Sequence, residues 1–357
     1  MTQSTPHRTS SRRSGVAGSR WLLLACATAL TYSVHAQGGS YRVFVTNEAS
    51  GDLTVIDGSN QQAIANWRLG KRPRGIVAAP DGQHLCVAVS GSPLGGPGVD
   101  EKSLPPPDKS ADGIDVVNVM TGKVERVLTG VSDPEQLAVS ADGTRLYVAS
   151  EDSSSLVVIR ASDGKVLKRA AAGGEPEGVA VSASAKLVGV TSETSNMVTL
   201  MDSAHFQIVG RVPVGLRPRD IAFSADGGTA YVSGENDASL TVIDVMSRKT
   251  VRTVHFSEAG ARPKGIAVSD ADARIYVTTG RGGHVDMLFA KDLTVSASIA
   301  VGARPWGIAL SPDGRYAYTA NGPSNDVSVV DTHDPHVTQT IKAGKGPWGV
   351  ATLATTQ

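Results

Sequence analysis

Apolar positions recur at every second residue in short runs along most of this chain, and Gly, Asp, Asn or Ser closes each run. Ala138, Ala180, Ala222, Ala267, Ala309 and Ala351 alternate with the larger Leu137, Val179, Ile221, Ile266, Ile308 and Val350. A two-residue period marks a strand, because successive side chains point to opposite faces. No helical period interrupts the pattern, so the chain reads as all-β.

Each alternating run follows a proline: Pro73, Pro134, Pro176, Pro218, Pro263, Pro305 and Pro347, at intervals of 61, 42, 42, 45, 42 and 42 residues. Two residues on stand Gly75, Gly178, Gly265, Gly307 and Gly349, with Gln136 and Asp220 in the other two units. Eight residues past the proline, Asp-Gly pairs begin at Asp81, Asp142, Asp226 and Asp313, a hairpin signal because both residues tolerate positive φ. Thirteen past it, a second strand carries Tyr147, Tyr231, Tyr276 and Tyr318, while Cys86 and Gly189 take that slot in two units. A third strand ends at Asp57, Asp202, Asp244 and Asp331, and a fourth, such as 337–342, leads to the next proline.

Four strands repeating about every 42 residues predict a propeller, with the small residues on the crowded innermost strands. Pro347 is followed by only one strand. Its three companions lie at the other end, at Phe44, at 54–57 and at 64–69. The expected fold is thus a seven-bladed β-propeller closed by N- and C-terminal strands in one blade, which removes exposed sheet edges.

Phe44-Val45-Thr46-Asn47, Tyr147-Val148-Ala149-Ser150, Tyr276-Val277-Thr278-Thr279 and Ala317-Tyr318-Thr319-Ala320 resemble the repeats of the YVTN β-propeller family, over residues 41–357. The Pro-rich segment 91–112, followed by Gly113-Ile114-Asp115-Val116-Val117, and the run 320–326 are similar to bacterial propellers associated with pyrroloquinoline-quinone (PQQ)-dependent catabolism. That resemblance implies a pathway context, with a quinoprotein dehydrogenase or a cytochrome c as partner, and no particular activity.

Residues 1–20 hold Arg8, Arg12, Arg13 and Arg20 without an acid, and a largely apolar stretch over 21–34 leads to Val34-His35-Ala36. This is the layout of a signal peptide over 1–36, too short to cross a bilayer, with cleavage after Ala36 and a periplasmic or secreted destination. Leu23-Leu24-Ala25-Cys26 only faintly matches a lipoprotein box, and Arg12-Arg13 lacks the apolar consensus of a twin-arginine signal. The remainder, 37–357, reads as one propeller and as a monomer. It keeps only Cys86, so no intramolecular disulfide can staple it. The leader's four arginines separate a formally neutral chain from a mature one of about −4, which disfavours polyanion binding.

In a propeller, the loops entering the innermost strands share a face with the loops joining second to third strands. The proline loops carry Arg72, Arg74, Arg217, Arg219, Arg262, Lys264 and Arg304 in some units, and Asp133, Glu135, Glu175 and Glu177 in two adjacent ones. Trp306 and Trp348 follow the last two prolines. The functional reading is a funnel for a small anionic ligand or a periplasmic protein, with indoles for stacking; the structural one is solvated rim charges paired across blades. The segment 91–112, source of the long first interval, reads as a loop over the same face.

Catalytic signals are weak. There is no Cys-x-x-Cys-His, no Gly-x-Ser-x-Gly, and no repeat position shared by His84, His205, His255, His284, His333 and His336. We expect no enzyme and no cofactor. Two alternatives are weighed. Glu48, Glu151, Glu193 and Glu235 share one repeat position and are weak candidates for metal ligands in a lactonase-like hydrolase. Basic loops with Trp306 and Trp348 suit single-stranded nucleic acid, against which the acidic sector weighs.

Overall fold

The computed structural model describes residues 40–95, 99–269, 271 and 273–355. The expected leader and its cleavage point after Ala36 lie outside the described residues.

Seven four-stranded antiparallel sheets form the ring. Blade 1 takes its innermost strand, Pro347–Ala354, from the C-terminus and its other strands, Tyr41–Asn47, Asp52–Asp57 and Gln62–Arg68, from the N-terminus. Val45 pairs with Val350 and Phe44 with Ala351, so the ends are sewn together in register. Blades 2 to 7 follow in chain order over 76–128, 134–171, 176–213, 218–255, 266–300 and 305–342. The second and third strands of a blade are buried on both faces, whereas the fourth is largely exposed. Among the described residues the only helical pieces are single 3₁₀ turns at Glu101–Ser103, Lys109–Ala111 and Gly280–Gly282.

The core is divided among the seams between blades. Tyr147 fills the seam of blades 3 and 4, Tyr231 that of 5 and 6, Tyr276 that of 6 and 7, Tyr318 that of 7 and 1, and Phe44 that of 1 and 2. Closer to the axis the blades meet backbone to backbone. The Gly265 N–H donates to Trp306 O at 3.1 Å, and a Cβ on Gly307 would lie 2.6 Å from Trp348 O. Hydroxyls extend these contacts: Thr46 donates to Arg74 O and Thr278 to Trp306 O, each at 2.7 Å. Asp220, in a slot that is glycine in five blades, accepts from its own Ile221 N–H and from Ile266 N–H of blade 6, both at 2.9 Å. Burial raises its carboxyl to about 6.

Candidate functional site

The proline loops open onto a cavity of about 1040 Å³ at one face of the ring. Eight carboxylates and eight cationic side chains line it. Arg72, Arg74, Glu135, Glu177, Arg217, Arg219, Lys264, Arg304, Trp306 and Trp348 are all among the lining residues, as are Glu48, Glu151, Glu193 and Glu235.

Backbone geometry explains how these side chains reach the mouth. The residue before the proline has a positive φ in six blades: Arg72 at 43°, Asp133 at 46°, Glu175 at 51°, Arg217 at 54°, Arg304 at 51°, and Gly346 at 66°. For a non-glycine residue the left-handed region costs roughly 1 kcal/mol. All six line the cavity. Arg262 of blade 6 has no such φ, and it departs from the expected ring: it lies outside the cavity and donates to Asn236 Oδ1 at 2.6 Å.

The charges form pairs that cross the seams. Arg72 meets Glu48 at 2.6 Å, from blade 2 to blade 1. Arg74 is clamped between Asp133 and Glu135 of blade 3. Arg219 of blade 5 bonds Glu193 and, at 2.8 Å, Glu177, both of blade 4; Arg217 joins Glu193 at 2.6 Å. Lys264 of blade 6 approaches Glu235 of blade 5 at 3.4 Å. The expectation of solvated rim charges is corrected at the inner positions, because the side chains of Arg74, Arg219 and Lys264 are only 3%, 8% and 3% exposed. These residues follow the proline by one position, so they sit at or just before the start of the innermost strand, where adjoining blades wall them in.

Burial governs protonation in this lattice. Desolvation lifts Glu135 well above the usual carboxylate range despite Arg74, and lifts Glu151 too. In Asp133 burial pulls the same way, but Arg74 and the Ser90 hydroxyl outweigh it and its pKa falls. Burial and the nearby Arg219 bring Lys264 well below the lysine range.

Trp306 and Trp348 stack on each other, ring centroids 5.7 Å apart and planes 29° from parallel. Trp348 is buried, and Trp306 is covered by Lys264, whose Nζ is 3.6 Å from the ring centroid, with Arg304 at 5.0 Å. The pair is occupied internally instead of offering two open stacking faces. Carboxylate oxygens of Asp133, Glu135 and Glu151 lie within 4.8 Å of one another. Arg74 contacts Asp133 and Glu135, Glu151 has no ion pair among the described residues, and Glu48, Glu193 and Glu235 are each engaged by other cations.

Arg281, Arg304 and Lys345 line the cavity without an ion pair among the described residues. Arg304 Nε is buried and has no hydrogen-bond partner. Arg281 was not singled out by the repeat pattern, since it stands in the irregular 3₁₀ turn Gly280–Gly282. Its neighbour His284 instead turns its Nδ1 to Gly282 O at 2.6 Å. Ser92, Pro93, Gly95 and Leu104 of the Pro-rich segment also line the cavity. Arg72 holds that segment by donating to Ser92 O and Pro93 O, each at 3.0 Å, and Lys109 ties it to Asp152 at 2.5 Å.

Comparison with known proteins supports the architecture. Among curated proteins, none matches the chain. Solved structures of similar shape include hydrazine synthase of Kuenenia stuttgartiensis, 18% identical with a TM-score of 0.65, covering 79% of this chain and 95% of that one. A Bacteroides uniformis protein provisionally assigned as a 6-phosphogluconolactonase is 14% identical with a TM-score of 0.71, covering 88% and 100%. The dihydro-heme d1 dehydrogenase NirN, in complex with DHE, is 16% identical with a TM-score of 0.60, covering 84% and 63%. At such identities the likeness is one of fold. A family description matches residues 97–357, and the chain belongs to the YNCE-like β-propeller family.

Proposed function

We propose that the protein is a non-catalytic, extracytoplasmic binding module whose mouth takes a small anionic ligand. The observation that carries this reading is the run of five charged residues held in left-handed backbone before a proline, all lining one cavity. Glycine would relieve that strain, as Gly346 does in blade 1, but would remove the charge. The cations left without carboxylates, Arg281, Arg304 and Lys345, are the anion's partners. A carboxylate or phosphate reaching Arg304 Nε would satisfy a buried donor that has none.

The same lattice disfavours catalysis. Of the carboxylates that could serve as base or metal ligand, Asp133, Glu135, Glu48, Glu193 and Glu235 are engaged by cations, which leaves Glu151 alone without an ion pair among the described residues. An accessory role in PQQ-dependent alcohol oxidation rests on the resemblance of 91–112 and 320–326. Both segments contribute to the mouth, through Ser92, Pro93, Gly95 and Leu104 and through Gly322, Pro323 and Asn325. A periplasmic quinoprotein dehydrogenase or cytochrome c is the proposed partner.

Calorimetry with citrate as anionic probe tests the binding reading. Saturable binding should weaken at least tenfold in the Arg304→Ala, Lys345→Ala double variant. No binding at low salt, or lactone hydrolysis that Glu151→Gln abolishes, would overturn it. For the partner, pull-downs from periplasmic extract should lose a protein on deletion of 92–110; identical recovery sinks that part.

A further inference from the structure

On the opposite face, one seam lacks its aromatic ring. Five seams are filled by Phe44, Tyr147, Tyr231, Tyr276 and Tyr318 from the middle of the second strand. In blade 4 that position is Gly189, and the next blade compensates: a Cβ on Gly189 would lie 2.6 Å from Ile221 Cδ1 and 3.3 Å from Phe223 Cζ. In blade 2 the position is Cys86, and the residue of blade 3 equivalent to Phe223 is Val139. Neither side supplies a ring.

A cavity of about 570 Å³ results between blades 2 and 3. Cys86, Val116, Leu128, Val139 and Leu146 make an apolar floor. Burial pushes the Cys86 thiol up to about 12, so the floor is uncharged at neutral pH. The rim comes from the turns away from the mouth and carries Arg126, Arg145 and Arg160 with His84, against one lining carboxylate, Asp81. Asp81 is bonded to His84 Nδ1 at 2.7 Å, and Glu125 accepts on the other ring nitrogen at 3.1 Å. Arg160 pairs with Asp163 at 2.9 Å, and Arg145 turns its guanidinium to Ser203 O and the Phe206 ring of blade 4, whereas Arg126 donates to the carbonyl of Ser162 at 2.6 Å. Arg126, bonded through one nitrogen, keeps further donors for a ligand.

We infer that this seam is a second binding site, for a small aromatic acid whose ring takes the place of the missing side chain and whose anionic group meets the arginine rim. The volume falls within the range of small-molecule sites, and an apolar floor with a few convergent polar groups is their usual construction. The position and the chemistry are independent of the mouth.

The probes are 1-naphthoate and the uncharged 1-naphthalenemethanol, titrated calorimetrically into the full chain. One molecule of naphthoate should bind per chain, at least fivefold more tightly than the alcohol. Cys86→Phe and Val139→Phe each copy a filling found in a sister seam. Each should weaken naphthoate binding at least tenfold while the melting temperature holds or rises. Should both filled chains fail to fold, the exposed-rim double variant Arg126→Ala, Arg160→Ala remains, and it should weaken naphthoate and leave the alcohol unchanged. The inference is overturned by naphthoate that does not bind, by equal affinity for acid and alcohol, or by affinity unchanged in a folded filled variant or in the rim variant.

Discussion

Arg219 of blade 5 donates to Glu177 of blade 4 at 2.8 Å, with both side chains only 8% exposed. A buried pair like this one is worth little over an apolar replacement of the same shape, yet losing one partner leaves an uncompensated charge. Arg219→Ala should therefore cost about 3–5 kcal/mol. Adding Glu177→Gln and Glu193→Gln should recover part of that loss. Urea midpoints of the three chains provide the measurement, and equal midpoints for wild type and Arg219→Ala would refute a buried role.

Glu175 offers the opposite test. It is exposed, makes no ion pair among the described residues, and holds φ at 51°. Glu175→Gly should leave stability unchanged or raise it by up to about 1 kcal/mol, since relief of the left-handed strain offsets the entropy of glycine. A clear fall in the urea midpoint would show that the carboxylate, not the backbone, governs this site.

Asp286 of blade 6 and Glu258 of the loop that enters it form a carboxyl pair that should tie stability to pH. The Ser298 hydroxyl donates to Asp286 Oδ1 at 2.5 Å and lies 3.4 Å from Glu258 Oε1, while the second oxygen of each carboxyl is buried without a partner. Burial first, then the Glu258 charge, lifts Asp286 to about 7. An unfolded aspartate titrates near 3.9. The native state thus holds a proton that the unfolded chain releases. Its contribution is complete below about pH 4 and lost as pH rises to about 7, at no more than roughly 1.4 kcal/mol per pH unit. Asp286→Asn should flatten that fall in thermal melts between pH 4 and 7.

Where Gly307 meets Trp348 O, a methyl group has no room. Gly307→Ala should destabilise by about 1–3 kcal/mol through overpacking, read as a lowered urea midpoint.

The Pro-rich arm is held mainly by Arg72, whose side chain is 16% exposed, whereas the Lys71 to Asp108 pair is open to solvent. Limited proteolysis should cut within 93–107 several-fold faster in Arg72→Ala, and hardly faster in Lys71→Ala, because exposed pairs contribute under about 1 kcal/mol.

The strands, their number and the closure of the ring were legible in the chain because alternation and the proline interval are local properties of sequence. The strand headed by Phe44 and the strand after Pro347 could be assigned to one blade before any coordinates, and in the structure Phe44 pairs with Ala351. The same repeat register gathered Arg74, Glu135, Glu177, Arg219 and Trp306 on one face, and all of them line the cavity. The repeat also misled once, at Arg262, because its loop is longer and lacks the left-handed turn that aims its counterparts inward.

What the sequence determined by itself was thus an all-β ring of seven units with one decorated face, since a two-residue period and a fixed spacing survive any detail of packing. Only the tertiary structure decided that the inner charges are buried and interlocked, that Trp306 and Trp348 cover each other, and that the Cys86 seam stays open. Burial and pairing across a seam depend on residues from 24 to 61 positions apart meeting in space. No local pattern records whether the neighbouring blade fills a gap, as Phe223 does beside Gly189, or leaves it, as Val139 does beside Cys86.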